Sequence, residues 1–559
     1  KYSANRGISE TLNKGMEPPG MAGEDPPKES VDSRKRFLLI SAFTLAGAVV
    51  IALLFILDFF PWKKGVESAH DLDKSVAVLP FRNDSPEEGK MYFINGTMEA
   101  ILNNLCKIKD LRVPGRTSVE QYRQHPIPIH VIAEELDVSY ILEGSGHRDG
   151  DRVRIIVQLI NGKTDRHVWS ETYDAGISEI FSLQSQIAQQ IAAEIEAIIT
   201  PEEMQLIEKD PTNSPEAYEI YQMARENHWK YREDPNNRLA LDSAENQYSL
   251  VVEIDSTYAE GYLGLARVYW DRNYARGRFS ERFTLPVLTL IIQALSYDNQ
   301  LPEAYLIMGN YYATNGEIRK SIQNLNRAID LNPNHWEAFL LKGRVYLLMD
   351  EQMDRAIYNL TEASRLHRGP QLPDLYRHIS IGYLWAGLTE QAKEYIDKAF
   401  LLDGDSAEHF KAVSRIPENS GRFEEATEYL KNAHRIDSTN ATISLRLAED
   451  LLMTGQKSTS LPYFERVLDQ MEQLGQVRLN IMHRVGYAYW VNGNKEKAEY
   501  CMDLKKSYCE ESIRLQRLNY QTRYAFYDLA AIYAFRGDRE NALTNLQAFN
   551  ERETMPLWM

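Results

Sequence analysis

Histidine and cysteine, the residues that most often bind metals or act in catalysis, are sparse and scattered in this 559-residue chain. Among twelve histidines, the pairs His125/His130 and His147/His167 come nearest to ligand spacing, but neither has a third acidic or cysteine partner. The motifs H-E-x-x-H, G-x-x-x-x-G-K-[ST] and G-x-S-x-G do not occur. The sequence therefore predicts a protein that is not an enzyme and binds no cofactor and no metal.

Two short features invite a chemical interpretation but favour a structural one. A disulfide between Cys501 and Cys509 is conceivable, although buried thiols are the favoured interpretation. The glycine-containing run at Gly144–Ser145 lacks the strand-then-helix setting of a dinucleotide loop, so we interpret it as a turn. An enzymatic alternative, a hydrolase with a dispersed site, stays open.

A small residue recurs at a fixed interval through the second half of the chain. A glycine is followed five residues later by alanine or serine six times, at Gly316/Ser321, Gly387/Ala392, Gly421/Ala426, Gly455/Ser460, Gly493/Ala498 and Gly537/Ala542. Gly387, Gly421 and Gly455 are spaced by 34 residues, and Gly309 and Gly343 are a further such pair. A period of this length predicts stacked helical hairpins, because no single hairpin can bury its apolar face alone.

The clearest unit is residues 302–335, and the next carries one extra residue near Asp350. In the clearest unit we expect Gly309 and Tyr312 on the first helix, Gly316 in the turn, Ser321, Leu325 and Ala328 on the second helix, and Pro333 at its end. This pattern resembles the tetratricopeptide repeat. The resemblance implies an all-α superhelical solenoid over residues 214–559, with roughly seven to nine hairpins.

The same resemblance implies a groove, lined by the first helix of each hairpin, that binds a protein or peptide partner. By that analogy the candidate groove residues are Asn310, Arg344, Arg377, Lys411, Arg415, His483 and Tyr527. Four of the seven are basic in a chain whose net charge is −17, so an acidic segment or a C-terminal carboxylate is the ligand they would suit. The alternative is that they are ordinary solvated helix residues.

Residues 74–200 mix strand and helix patterns. Residues 75–81 predict a buried strand, residues 96–106 and 129–136 predict helices, and residues 111–114 predict a second strand. Hairpin signals at Asp149–Gly150 and Asn161–Gly162 separate three further strands and predict an antiparallel meander. A long amphipathic helix is expected over residues 180–199. Together these elements predict an α/β module.

The series SVAVLPF, YFINGTMEAILNNL, IAEELDVSYILEGS, RVRIIVQLI and IFSLQSQIAQQIAAEI resembles the TolB amino-terminal-like domain. In bacterial signalling proteins such a domain often lies between a cytoplasmic output domain and tetratricopeptide repeats. The resemblance brings no catalytic residues. Residues 1–36 contain no helix-turn-helix and no cyclase motif, so an output role is not transferred to this chain.

An apolar run without charges at residues 37–57 predicts a transmembrane helix over residues 37–60. Residues 1–36, rich in proline and glycine, predict a disordered tail. Lys35 and Arg36 are part of a modest basic bias that favours a cytoplasmic N-terminus. This predicts a single-pass protein of the bacterial cytoplasmic (inner) membrane, with its C-terminal domains extracytoplasmic.

The predicted fold class is therefore multidomain: one transmembrane helix, a TolB-like α/β domain and a tetratricopeptide solenoid. The acidic net charge argues against direct nucleic-acid binding. We expect a membrane-anchored binding scaffold or sensor in signal transduction, without catalysis. The alternative is the sensory part of a transcription regulator or nucleotide cyclase whose output domain lies upstream. Homo-oligomerisation stays open.

Overall fold

A computed structural model gives the architecture of most of the chain. It describes residues 73–85, 90–275, 281–314, 317–350, 352–473, 479–514 and 519–551. Within these ranges an α/β module comes first, and a solenoid of helical hairpins follows from residue 215 onward.

The module contains one mixed sheet. Its strands are β1 (Val76–Val78), β2 (Arg82–Asn83), β3 (Tyr140–Asp149), β4 (Arg152–Asn161) and β5 (Arg166–Gly176). Their order is β1-β3-β4-β5, with β2 also paired to β3; β1 and β2 run parallel to β3, whereas β3, β4 and β5 form an antiparallel meander. The predicted meander is confirmed.

Five α-helices accompany the sheet in the described part of the module. They are α1 (Met91–Cys106), α2 (Arg116–Val119), α3 (Ile129–Leu136), α4 (Ile180–Glu194) and α5 (Pro201–Ile207). Helices α1 and α4 cover one face through apolar side chains, among them Ile101, Leu105, Ile187 and Ile191, which all pack in the same core.

Two expectations for the module are wrong in detail. Residues 111–114 form no strand; they contribute a single bridge between Ser75 and Arg112. The helix expected over residues 180–199 ends at Glu194, since Glu196 adopts a left-handed backbone with φ 60°. Thr200 then caps α5 by accepting from the backbone N–H of Glu203, and the Glu203 side chain accepts in return from the N–H of Thr200.

Nine helical hairpins make up the described part of the solenoid. Their first and second helices are α6 (Pro215–Glu233) and α7 (Arg238–Ile254), α8 (Ala259–Ala275) and α9 (Glu281–Tyr297), α10 (Pro302–Thr314) and α11 (Ile318–Leu331), α12 (Trp336–Val345) and α13 (Met353–Leu366), α14 (Leu372–Trp385) and α15 (Thr389–Asp403), α16 (Ser406–Asn419) and α17 (Phe423–Ile436), α18 (Ala441–Met453) and α19 (Lys457–Gln473), α20 (Met482–Val491) and α21 (Lys495–Arg514), and α22 (Asn519–Phe535) and α23 (Arg539–Glu551). We number the hairpins 1 to 9 in this order.

The recurring glycines have two distinct physical roles. Gly387, Gly421 and Gly455 lie in the turn between the two helices, with φ between 72° and 78°, a region that side chains with a Cβ disfavour. Gly309 and Gly343 lie on first helices and let the second helix approach. A Cβ at Gly309 would come within 2.7 Å of the Leu325 side chain. Gly316 lies outside the described residues.

The extra residue predicted in hairpin 4 is absorbed as a π turn. Residues Tyr346–Asp350 continue α12 with π-helical hydrogen bonding. Such a turn accommodates one additional residue within a helix without breaking it. Gly343 and Leu360 therefore keep the same packing relation as Gly309 and Leu325 in the unit before.

The membrane part of the predicted fold class is wrong for the residues that the structure describes. Across those ranges no helix is both long and apolar enough to span a bilayer. Even the 20-residue α21 fails, because charged side chains recur along it. The expected span at residues 37–60 and the tail at residues 1–36 lie outside the described residues. The corrected fold class is a mostly helical repeat solenoid with a small sheet.

The module and the first hairpin share one apolar core. Phe93 and Ile187 of the module pack in the same cluster as Ala217, Tyr218 and Tyr258 of the solenoid. The Phe181 ring lies edge-on to Tyr218, with 4.6 Å between ring centroids. The two parts are therefore joined by hydrophobic burial as well as by the chain.

Candidate functional site

Consecutive first helices contact one another and form a continuous surface, which we call the first-helix face. Ion pairs cross it between neighbouring hairpins: Arg267 of α8 with Glu303 of α10, Arg446 of α18 with Glu418 of α16, and Arg484 of α20 with Glu449 of α18. The predicted groove residues belong to first helices, and their charge partners on this face determine whether they can bind an external ligand.

The module covers the start of the first-helix face through a bidentate ion pair. The Arg148 guanidinium donates to both carboxylate oxygens of Glu219 on α6, at 2.8 and 3.1 Å. The Tyr92 hydroxyl donates to the same carboxylate at 2.5 Å. Burial and this carboxylate raise the pKa of Tyr92 to about 12, so the phenol stays a donor.

A buried charge cluster lies next along the same helix. The Glu99 carboxylate of α1 contacts the guanidiniums of Arg116, at 2.8 Å, and Arg225. Burial would raise the pKa of Glu99, but the two guanidiniums hold its pKa below the ordinary value. The Arg116 guanidinium also lies 4.2 Å above the Trp229 ring. Removing one member would leave an uncompensated charge, which is costly in such a place.

Asn334, in the loop between α11 and α12, holds the module to hairpins 3 and 4. Its Oδ1 accepts from the Val113 backbone N–H at 2.9 Å, and its Nδ2 donates to the carbonyls of Leu111 at 2.9 Å and Cys106 at 3.2 Å. One side chain thus satisfies three backbone groups that are far away in sequence. Asn334 is 5% exposed.

His367 closes the same junction after α13. Its ring stacks on Trp336 with 4.1 Å between centroids, and its Nδ1 faces the hydroxyls of Thr117 and Ser118 at 3.4 and 3.5 Å. Burial lowers the pKa of His367 to about 4, so the ring is neutral at physiological pH. The module therefore contacts the first helix of hairpin 1 and the loops on either side of hairpin 4.

Beyond the module, two of the predicted residues lie beside a histidine that the sequence did not single out. Arg344 on α12 is exposed and Arg415 on α16 is half-buried. Burial lowers the pKa of His378 on α14, and the positive charges of Arg344 and Arg415 lower it further, so the three side chains are electrostatic neighbours. We call Arg344, His378 and Arg415 the basic row.

The two arginines of the basic row have no ion-pair partner among the described residues. Burial, and then the neighbouring Arg446, lower the pKa of Arg415 to about 10, against the opposing effect of the Glu418 and Glu408 carboxylates. Glu408 and Glu418 form their ion pairs with Lys411 and Arg446, so neither is at ion-pair distance from the Arg415 guanidinium.

Arg377 and Lys411, the other predicted cations, are already neutralised. The Arg377 guanidinium contacts Asp374 at 2.8 Å and also Asp403, and the Lys411 ammonium lies 2.6 Å from Glu408. They are less suited than the basic row to receive an external anion. The sequence could not separate the two groups, because Arg415 also has a carboxylate three residues away, Glu418, which pairs instead with the distant Arg446.

The remaining predicted residues lie at the two ends of the exposed face. Asn310 shares a cavity of about 250 Å³ with Arg344. His483 lies 3.8 Å from Asp528, and Tyr527 is 45% exposed, with its ring 5.4 Å from that of Phe549. The structure thus brings Asn310 and Arg344 together. His483 and Tyr527 belong to hairpins 8 and 9 and are not part of the basic row.

The cysteines are free and buried, as the favoured interpretation expects. Burial raises the pKa of Cys106 and Cys509 to about 12, so neither is a thiolate at neutral pH. In the ranges that the structure covers, no group of acidic, histidine and cysteine side chains is placed to hold a metal ion.

Comparison with protein families identifies the repeats. Residues 302–335 match the tetratricopeptide repeat model. The hairpin of α10 and α11 is therefore a tetratricopeptide repeat, and the solenoid is tetratricopeptide-like. Residues 72–193 match the model described as HilA/YgeH-like transcriptional regulator, second domain. The predicted resemblance of this module to the TolB amino-terminal-like domain is therefore not supported, and a HilA-like domain takes its place.

Two curated proteins and one solved structure illustrate the similarity. "Putative adenylate cyclase 3" of Rhizobium meliloti (strain 1021) is 33% identical over 192 residues, 34% of this chain and 32% of that protein. "Anaphase-promoting complex subunit 3" of Schizosaccharomyces pombe (strain 972 / ATCC 24843) is 20% identical over 191 residues, 34% of this chain and 27% of that protein. The chain thus spans about a third or less of these relatives.

A tetratricopeptide repeat protein from Parabacteroides merdae ATCC 43184 covers 48% of this chain and 99% of its own length, at 13% identity and a TM-score of 0.38.

Proposed function

We propose that this protein is a non-catalytic binding scaffold. Its tetratricopeptide solenoid would hold a partner segment that carries acidic side chains or a free C-terminal carboxylate. The binding place would be the first-helix face around hairpins 4 to 6, directly after the part that the module covers. The observation that carries this proposal is the basic row: Arg344 and Arg415 form no ion pair among the described residues, and the carboxylates nearest to Arg415 in effect, Glu408 and Glu418, pair with Lys411 and Arg446.

The physical basis is charge-assisted hydrogen bonding. An arginine guanidinium binds a carboxylate through two parallel N–H donors, and such bonds are stronger than neutral ones. Because Arg415 is half-buried beside Arg446, its interaction with an anion is screened less than at an open surface. The pairs at Arg377 and Lys411 would frame the site without competing for it.

The test is peptide binding measured by fluorescence polarisation. The probes are an acidic hexapeptide with a free C-terminus, the same peptide amidated, and a version with Asn and Gln in place of Asp and Glu. We expect the double variant Arg344→Glu/Arg415→Glu to bind the acidic probe at least about tenfold more weakly, because each charge-assisted hydrogen bond is worth about 1.5–3 kcal/mol.

The matched control reverses two charges on second helices. Lys393 on α15 and Arg539 on α23 are exposed, and the double variant Lys393→Glu/Arg539→Glu changes the net charge by the same amount. Equal loss of binding in both double variants would show a general charge effect and reject the site. Unchanged binding in the Arg344/Arg415 variant would reject it as well.

A second candidate is the sensory part of a larger regulator. It is favoured by the match of residues 72–193 to a domain of HilA/YgeH-like transcriptional regulators, and by the relative named as an adenylate cyclase. Determination of the reading frame upstream of Lys1 tests it. A DNA-binding or cyclase domain in frame supports the regulatory proposal, and a stop codon followed by a start site close to Lys1 counts against it.

A further inference from the structure

A cavity of about 330 Å³ lies between the module and the first three hairpins. One end of it is lined by Asn104 and Lys107 at the end of α1, by Glu260 on α8, and by Lys209 and Asp298. This volume lies at the small end of the range for cavities that hold small molecules. The site is separate from the basic row, since it belongs to the covered part of the solenoid.

Lys107 and Glu260 carry opposite charges at this end and act on one another electrostatically, but among the described residues neither forms an ion pair at contact distance. Lys209 and Asp298 pair with each other at 2.5 Å. Glu260 has no cation within ion-pair distance in the described part of the chain, and its carboxylate accepts only from its own backbone N–H. The Lys107 ammonium donates to Asn104 Oδ1 at 2.9 Å and to the Leu206 carbonyl at 2.7 Å, which leaves one of its three N–H donors.

The environment makes both unpaired charges costly. Burial raises the pKa of Glu260 to about 7 and lowers the pKa of Lys107 to about 8. Groups whose pKa is shifted by burial and that lie in a cavity are candidates for a binding site. They belong to different parts of the molecule, Lys107 to the module and Glu260 to the solenoid.

We propose that this cavity binds a small zwitterion of amino-acid size, whose ammonium group pairs with Glu260 and whose carboxylate pairs with Lys107. A simple anion would leave Glu260 unpaired, and a simple cation would leave Lys107 unpaired. The rings of Tyr218, Tyr221 and Tyr258 also line the cavity and offer an apolar surface for the side chain of the ligand. Because the ligand contacts both parts, its binding would tighten the junction between module and solenoid.

The test is isothermal titration of the full chain with each of the twenty amino acids. For the amino acid that binds best, the N-acetylated form and the carboxamide are titrated as well. We expect each modified form to bind at least about tenfold more weakly, since each lacks one charge-assisted contact. Equal affinity for the free, acetylated and amide forms would overturn the proposal, and so would the absence of binding by all twenty.

Substitutions assign the two contacts. We expect Glu260→Gln and Lys107→Met each to weaken binding by about tenfold or more, whereas Glu253→Gln, an exposed carboxylate on α7, leaves it unchanged. Glu260→Gln removes a half-buried charge at nearly constant shape, whereas Lys107→Met also removes the hydrogen bonds to Asn104 and to the Leu206 carbonyl, so the fold of both variants is checked by circular dichroism. As a second measurement, ligand should slow hydrogen exchange at residues 104–107 and 258–263 of the wild-type protein. Retained affinity in both variants, or no protection there, would place the ligand elsewhere.

Discussion

The sharpest prediction concerns Asn334→Ala. The substitution removes an acceptor for the Val113 N–H and donors to the carbonyls of Leu111 and Cys106, all in a buried place. Each lost hydrogen bond costs about 1 kcal/mol, and a buried group left without a partner costs about 1–3 kcal/mol. Three such groups would cost about 3–9 kcal/mol if all stayed unpaired. We expect about 3–5 kcal/mol, because water that enters the space left by the side chain restores part of the hydrogen bonding.

Equilibrium urea denaturation gives the free energy of unfolding, and amide hydrogen exchange followed by mass spectrometry locates the change. We expect the Val113 amide and its neighbours to exchange faster, because they lose their acceptor. Asn545→Ala is the matched control: its Nδ2 donates only to the Asn541 carbonyl within an exposed helix, at 2.8 Å, and we expect a loss within about 0.5 kcal/mol. If Asn334→Ala lost no more than the control and left the Val113 amide protected, the attachment described here would be refuted.

Two further predictions concern acid stability and close packing. The His367 ring faces Glu337, Gln371 and Trp336, and its pKa falls from 6.5 to about 4 on folding, so the unfolded chain takes up a proton first as the pH falls. The free energy of unfolding should therefore decrease between pH 6.5 and pH 4, by about 3 kcal/mol at most. In denaturation measured at several pH values, His367→Gln should reduce this decrease, and an unchanged slope would contradict the prediction. Gly309→Val should lower the stability measured by thermal unfolding by about 2 kcal/mol or more, because a Cβ at this position meets the Leu325 side chain at 2.7 Å. Gly115→Ala should lower it by less than about 0.5 kcal/mol, because the added Cβ meets only the Trp336 ring, at 3.7 Å. Equal losses in the two variants would show that close packing is not the cause.

The sequence predicted what depends on local chemistry. Turn glycines such as Gly421 and small residues such as Gly309 recur with the period of the hairpins, because backbone conformation and helix contact demand them at the same place in each unit. The meander could be read from Asp149–Gly150 and Asn161–Gly162 for the same reason. These signals need only neighbours in the chain or in the next helix.

What could not be predicted depends on distant partners. Nothing near Asn334 in the sequence shows that it binds backbone groups more than 200 residues earlier. The difference between Arg377 and Arg415 arises partly from Asp403, which belongs to a neighbouring helix. Glu260 has the same local pattern as many solvated glutamates, and only the packing of the module against the solenoid places it in the wall of a cavity.

The apolar core that Phe93 shares with Ala217 and Tyr258 has a consequence for the autonomy of the repeats. An array of stacked repeats exposes an apolar face at each end, and natural arrays usually end in a repeat whose outer face is polar. Here the apolar face at the start of the array packs against the α/β module, which thus takes the place of a terminal repeat. A fragment that begins at Pro215 would expose that face to solvent and should self-associate. The module and the solenoid should therefore be expressed together as one folding unit.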